Sequence, residues 1–512
     1  MKKNLLQYAL GVAFIFILTI FSILPRSAHR QSTSVKLVLL IVADQFPYRY
    51  LDQFGSTLYG GIGKLLKEGT LYREARFDYA VTNTCPGHAT ITTGELPRNH
   101  GIIDNWWFDR TSRKELYCVG NSSEPASPRL LEADSIADSI KQIYGNSKAF
   151  TVSGKDRAAV ILGGKQADAA WWFNQKEGGF TSSSYYLSET PKWVEAYNTQ
   201  HALEGFGSLW QSPQLSDSER EQLQIKSLKR QKLDAIFPYS LGGFSLSPQR
   251  SFFEAVFFSP LVDAMTNRFT QSLLVNEQLG QHNGPDFLGI SFSALDTVGH
   301  RYGPNSEEVY DTLQKLDYEL GTLFEFIDAK IGLENTLVVF TSDHGIQSFP
   351  EFHKGHKRIS SREIACIQEA GTTLVNHFGP VLSSSLYFDH TFIRENHISM
   401  DALKDKLREL ITECDVVAEI VFSDELHNAS TESKTLWTNS FFSERSPDFY
   451  LNVKDTISIS YPSGTGHGSP YDFDRHVPVI FMGKGFNAKT IDSPYAITQI
   501  KPDILHQLST QQ

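Results

Sequence analysis

The chain has 512 residues, 40% of them hydrophobic and 21% charged, with a formal net charge of −11. This composition excludes a disordered or fibrous protein and provides for a large core, in one α/β domain carrying insertions as readily as in several small domains. Because the basic residues are scattered through an acidic chain, the charge balance argues against nucleic acid and anionic membranes as main partners, and an anionic ligand would need local cations or metals.

Lys2 and Lys3 precede an apolar run from Tyr8 to Leu24, closed by Pro25 and Arg26. That layout is a secretory signal and predicts export to a periplasmic or extracellular compartment. Cleavage after Ala28 would place Arg26 where a small residue is wanted, and the run is near the shortest length that spans a bilayer. Residues 1–30 therefore read as a signal peptide or as a retained anchor, and both readings stand at this point.

The run Leu37 to Ala43 predicts a buried parallel strand that ends at Asp44. Next comes Thr82-Asn-Thr84-Cys-Pro86-Gly-His88. With Thr84 as N-cap and Pro86 in the first turn, this segment opens a helix whose free amides favour an anion, and the Thr84 hydroxyl would stand beside a bound phosphate. Capping alone explains Thr84 equally well. A strand over Ala149 to Val152 is followed by Lys155-Asp156-Arg157, a triplet that in isolation reads as a solvated loop.

From about residue 168 to about 285 the pattern is less regular and rich in aromatics, including Trp171, Trp172 and the pair Tyr185-Tyr186. It reads as a cap or insertion lying over the site. Its rings are expected to be ordinary packing more often than pocket lining. Phe287 to Leu295 predicts a second strand before Asp296, and Leu337 to Phe340 a third before Asp343. Between them Leu313, Leu316, Leu320, Leu323 and Ile327 recur at helical spacing, as the core face of a crossover helix requires. Three acids thus sit at three strand ends, where open α/β sheets form ligand sites.

Asp44, Asp296, His300, Asp343, His344 and His467 make six candidate metal ligands. Asp296 and His300 are four apart, a spacing that aims both at one ion from a turn or a first helical step, and Asp343 and His344 are adjacent beyond a strand. Mixed Asp and His ligation suits zinc, and two sets of three with an open position each make a catalytic pair. Each residue alone is weak evidence; the joint pattern is what counts. Cys85, Cys118, Cys366 and Cys414 form no Cys-x-x-Cys pair, so one or two bridges fit, with connectivity unreadable.

Taken together, Thr84-Cys-Pro-Gly-His, Gly101-Ile-Ile-Asp-Asn105-Trp-Trp, Ser153-Gly-Lys155-Asp-Arg157, Asp296-Thr-Val-Gly-His300, Thr341-Ser-Asp343-His344-Gly345 and Gly466-His467-Gly-Ser-Pro-Tyr-Asp resemble the PafA-type alkaline phosphatases, a threonine-nucleophile branch of that superfamily. The match runs in order from about Val35 to about Gly485. The resemblance implies an α/β fold, a three-layer sandwich around a mostly parallel central sheet, with residues 31–512 as catalytic domain. It implies an enzyme with two zinc ions per chain that cleaves small-molecule phosphate monoesters through a phosphothreonine. Asp44, Asp343 and His344 would hold the zinc that contacts Thr84, and Asp296, His300 and His467 the zinc that activates water. Asn105, Lys155 and Arg157 would grip the phosphoryl oxygens.

A sulfatase is set aside, because Cys85-Pro86 does not match the Cys-x-Pro-x-Arg precursor. Lipid-modifying phosphoethanolamine transferases resemble multi-span proteins at their N-terminus, unlike the one apolar run here. Nucleotide pyrophosphatase/phosphodiesterases are the serious alternative, and an inactive phosphate-binding relative is disfavoured by the intact ligand set. The oligomeric state is not legible.

Overall fold

The computed structural model describes residues 34–510 apart from 121–123, 201–208, 212, 227–238, 241–249, 429–430 and 461. The amino-terminal apolar run lies outside these residues. Among the described residues, no helix is long and apolar enough to cross a membrane.

Nine strands form the main sheet among the described residues: β1 Leu37–Ala43, β2 Thr70–Arg76, β3 Ala149–Ser153, β4 Ala169–Phe173, β5 Phe180–Thr181, β6 Asp286–Phe292, β7 Thr336–Thr341, β8 Val479–Gly483 and β9 Lys489–Ala496. Their spatial order is β9-β2-β8-β7-β1-β6-β3-β4-β5. Five neighbouring pairs are parallel, including β1 with both β6 and β7, and the antiparallel pairs are β7/β8, β8/β2 and β4/β5. The three acid-ended strands read from the sequence are thus adjacent at the centre, with the strand read at Ala149 to Val152 next to them. The acids meet because parallel neighbours end on the same edge.

Every residue of β1 is buried, and its side chains alternate between two cores. Leu37, Leu39, Ile41 and Ala43 enter one apolar cluster, while Val38, Leu40 and Val42 enter another across the sheet. That two-sided burial explains the unbroken apolar run, and it makes the α/β three-layer arrangement. The helix Glu307–Lys330 covers one face, with Leu313, Leu316, Leu320, Leu323 and Ile327 all buried.

Two boundaries differ from the sequence reading. β6 ends at Phe292, and Ala294, Leu295 and Asp296 already lie in the helix Ala294–Tyr302, so the apolar run from Phe287 to Leu295 crosses a strand-to-helix joint. The nucleophile-candidate helix, Thr84–Thr93, takes Asn83 rather than Thr84 as N-cap. Asn83 has extended backbone (φ −106°, ψ 166°), whereas Thr84 is already helical, with Pro86 in the first turn. Two disulfides are present, Cys85–Cys118 and Cys366–Cys414.

Candidate active site

All six candidate ligands converge at the carboxyl edge of β1, β6 and β7. Asp44 follows β1, and its amide donates to Phe292 O at the end of β6. Asp343 and His344 follow β7, where the Ser342 hydroxyl donates to His344 O and accepts from Phe46 N, bending the chain so that neighbouring side chains face one centre. The helix Ala294–Tyr302 carries Asp296 and His300 one turn apart, with His300 Nε2 3.0 Å from Asp296 Oδ1. His467 comes from a distant loop and stacks on His344 at 3.5 Å between ring centroids.

Each of the three histidines is oriented by its other ring nitrogen. His300 Nδ1 donates to Thr465 O (2.8 Å), His344 Nδ1 to Gly345 O (2.9 Å) and His467 Nδ1 to Thr82 O (3.0 Å). A carbonyl can only accept, so each Nδ1 carries a proton, and in the neutral ring the Nε2 lone pair is left for the centre. Metal-binding histidines are prepared in this way.

Two sets of ligand atoms lie within 4.8 Å of one another: Asp296 with His300 and His467, and Asp44 with Asp296 and His344. Asp343 approaches the second set too, since its Oδ2 is 3.5 Å from His344 Nε2. Asp44 Oδ1, Asp343 Oδ2 and His344 Nε2 are buried without a well-formed hydrogen bond, His88 Nδ1 standing 3.1 Å from Asp343 Oδ2 while it binds Thr84 O. Three buried carboxylates face one ammonium, that of Lys155, at 2.6 Å from Asp44 Oδ2 and 2.5 Å from Asp296 Oδ2. Such an excess of buried negative charge is costly unless cations join it, so the donor set fits divalent metals.

Titration is set by burial against neighbouring charge: burial acts to raise Asp343 as it does Asp44, but His344 and His88 outweigh it and hold Asp343 below its usual value. Burial, with Asp343 nearby, pushes Asp44 well above the usual carboxylate range. Burial acts the same way on Asp296, but Lys155 and His300 outweigh it and hold that carboxyl well below its usual value. His344 is pushed down to about 3 by burial, whereas Asp296 overcomes burial at His300 and raises it.

Thr84 is buried at the first turn of its helix. Gly87 lets this helix touch the Asp343 segment, since a Cβ there would stand 2.2 Å from Asp343 O. Asn105 is brought alongside: its side-chain oxygen accepts from Cys85 N at 2.9 Å, which turns the amide NH2 away from that bond as a free donor end. Asp104 Oδ1 accepts from Asn105 N and from Asn83 Nδ2, both at 2.6 Å, tying the loop to the helix start. The disulfide Cys85–Cys118 ties the helix to the residue whose amide donates to Asn105 O at 3.1 Å.

Lys155 is the N-cap residue of the helix Asp156–Gly163, and Arg157 lies in its first turn. Neither is a solvated loop residue: Lys155 is buried, and Arg157 Nη1 lies 3.5 Å from the hydroxyl of Tyr117. Both line a cavity of about 690 Å³ together with Asp296 and His300.

Gln45 and His88 escaped the sequence reading. Gln45 takes a left-handed backbone (φ 65°) while buried, and it donates from its amide to Asp343 Oδ1 and from Nε2 to Asp296 Oδ1. His88 binds Thr84 O through Nδ1 and Ser291 Oγ through Nε2. Its signal was in view, one helical turn from Thr84 within the same motif.

This chain belongs to the type I phosphodiesterase / nucleotide pyrophosphatase family, whose model matches residues 38–476. Within that class it is a relative of the PafA-type alkaline phosphatases. It is 29% identical to alkaline phosphatase PafA of Elizabethkingia meningoseptica, over 93% of this chain and 92% of that protein. It is 27% identical to alkaline phosphatase PhoV of Synechococcus elongatus, over 96% and 92%. The crystal structure of wild-type alkaline phosphatase PafA superposes with a TM-score of 0.83 at 27% identity, over 93% and 96% of the two chains.

Proposed function

We propose that this protein is an exported phosphomonoesterase with two zinc ions per chain, using Thr84 as covalent nucleophile on small-molecule phosphate esters. The observation that carries the reading is the pair Lys155 and Arg157, two cations on one helix start, sharing a cavity with Asp296 and His300. A monoester carries more negative charge on its terminal oxygens than a diester, so two cations favour it. The resemblance to the alkaline phosphatases supports the same choice.

Asp44, Asp343 and His344 would hold one ion and Asp296, His300 and His467 the other, and the ions would supply Lewis-acid polarisation of the reacting oxygens. Thr84 Oγ1 attacks phosphorus as its hydroxyl proton passes to solvent, the bond to the leaving oxygen breaks, and that oxygen takes up a proton from solvent and departs as the alcohol. Water then attacks the phosphothreonine, the bond to Oγ1 breaks, and phosphate leaves with Thr84 restored. Asn105 donates to a phosphoryl oxygen, and Lys155 and Arg157 neutralise charge that grows on the transferring group. The Lys2-Lys3 and Tyr8 to Leu24 pattern supports export, and two disulfides suit an oxidising compartment.

The test is a side-by-side assay of the zinc-loaded protein on an aryl phosphate monoester and the matching diester. We expect the monoester to be preferred and Thr84→Ala to lower kcat on the order of a thousandfold. Preference for the diester would move the protein to the phosphodiesterase reading; full activity in the variant would remove Thr84 as nucleophile.

A further inference from the structure

Resting on the monoesterase reading, we propose that the cavity beside Lys155 and Arg157 is a leaving-group pocket selective for planar aromatic alcohols, with Phe258 as its stacking platform. In an in-line displacement the nucleophile and the leaving group stand on opposite sides of phosphorus. Thr84 is not among the residues that line the cavity, whereas Lys155, Arg157, Asp296 and His300 are. The open volume therefore lies where the leaving group emerges. At about 690 Å³ it is within the size range of small-molecule sites.

Aromatic side chains from two separate elements form part of an otherwise largely polar wall. Trp172 comes from β4, while Phe257 and Phe258 come from the end of the helix Arg250–Phe257 and the residue after it. Phe257 is buried, as a packing residue should be. Phe258 is 46% exposed. Its ring stands edge-on to Phe257, at 5.3 Å and 87°, an arrangement that fixes its orientation.

This platform is registered on the site itself. Thr297 Oγ1, on the residue after Asp296, lies 3.2 Å from Phe257 O and 3.1 Å from Ala294 O, so its one proton is shared between the two carbonyls. The helix bearing Asp296 and His300 thus holds the aromatic corner at a set distance from those two residues. Lys176, exposed on the turn that Asn174 Oδ1 closes by accepting from Lys176 N and Glu177 N, adds a cation at the rim for polar substituents.

The experiment compares benzyl phosphate with ethyl phosphate, whose leaving alcohols are of similar acidity, on the zinc-loaded full chain and on Phe258→Ala. We expect kcat/KM to favour benzyl phosphate by about tenfold, and Phe258→Ala to remove most of that preference while leaving ethyl phosphate unchanged. Equal kcat/KM for the two esters, or an equal loss on both in the variant, would overturn the pocket. Turnover of neither ester would refute the monoesterase reading instead. Inhibition constants for benzylphosphonate against ethylphosphonate then decide the pocket by binding alone: a Phe258-dependent preference supports it, and equal constants reject it.

Discussion

The two proposed ligand sets use the same side-chain chemistry at different depths. Asp44, Asp343 and His344 have fully buried side chains, whereas the His300 side chain is 41% exposed at the cavity. The sealed set belongs to the core: it follows the central strands, and Gly87 presses the Thr84 helix against it. The open set reaches across from a helix and a remote loop. Depth divides the labour, since a nucleophile needs a fixed position and a leaving group needs an exit.

The largest effects should come from deleting ligands. Alanine at either His344 or His300 is expected to lower kcat/KM on the order of a thousandfold, the value of several kcal/mol of lost polarisation. The comparison is sharpened by metal content and unfolding measurements. His344→Ala should lose one zinc and also destabilise the fold, because it opens a cavity in the core. His300→Ala should lose one zinc with little change in unfolding. Equal destabilisation in the two variants would erase the distinction between a structural and an open site.

Lys155 joins the sets, bridging Asp44 from one and Asp296 from the other. Burial lowers the ammonium's affinity for its proton, but Asp296 and Asp44 outweigh that and keep it charged. Removing one partner of a buried ion pair typically costs about 3–5 kcal/mol. Lys155→Met is therefore expected to destabilise the chelator-treated protein by roughly that amount, measured by urea unfolding. Zinc should reduce the difference, since it supplies positive charge to the same carboxylates. An identical loss with and without zinc would show that Lys155 acts independently of the ligands.

What could be read from the sequence divides along a similar line. β1, β6 and β7 were legible because burial on both faces writes itself as an apolar run ended by an acid. The helix at Asp296 blurred one boundary, because Ala294 and Leu295 are as buried as the strand before them. Contacts between remote segments left no local mark. Gln45 is 251 positions from Asp296 and 298 from Asp343, and neither disulfide follows from spacing. The stretch from about residue 168 contributes β4 and β5 to the main sheet as well as cavity wall, and its irregular pattern hid the strands. Among its aromatics, Trp171 packs in the core against Phe269, while Trp172 lines the cavity.

The smallest expected effect tests whether the sealed side excludes protons. His100 is buried between the Thr84 helix and the loop leading to Asn105, with Nε2 3.1 Å from Thr90 Oγ1 and Nδ1 accepting from Ile102 N. Burial pushes it down to about 3, so the folded protein holds it neutral. The unfolded chain takes up that proton near pH 6.5, so the contribution of His100 to stability is complete above that pH. It is lost as pH falls from there toward 3, by at most about 1.4 kcal/mol per pH unit. Urea unfolding of the wild type and His100→Gln at pH 7.5, 6.5 and 5.5 should show a gap that narrows on acidification. A gap that stays constant would mean that His100 titrates alike in both states, and that the wall between the Thr84 helix and the Asn105 loop admits the proton.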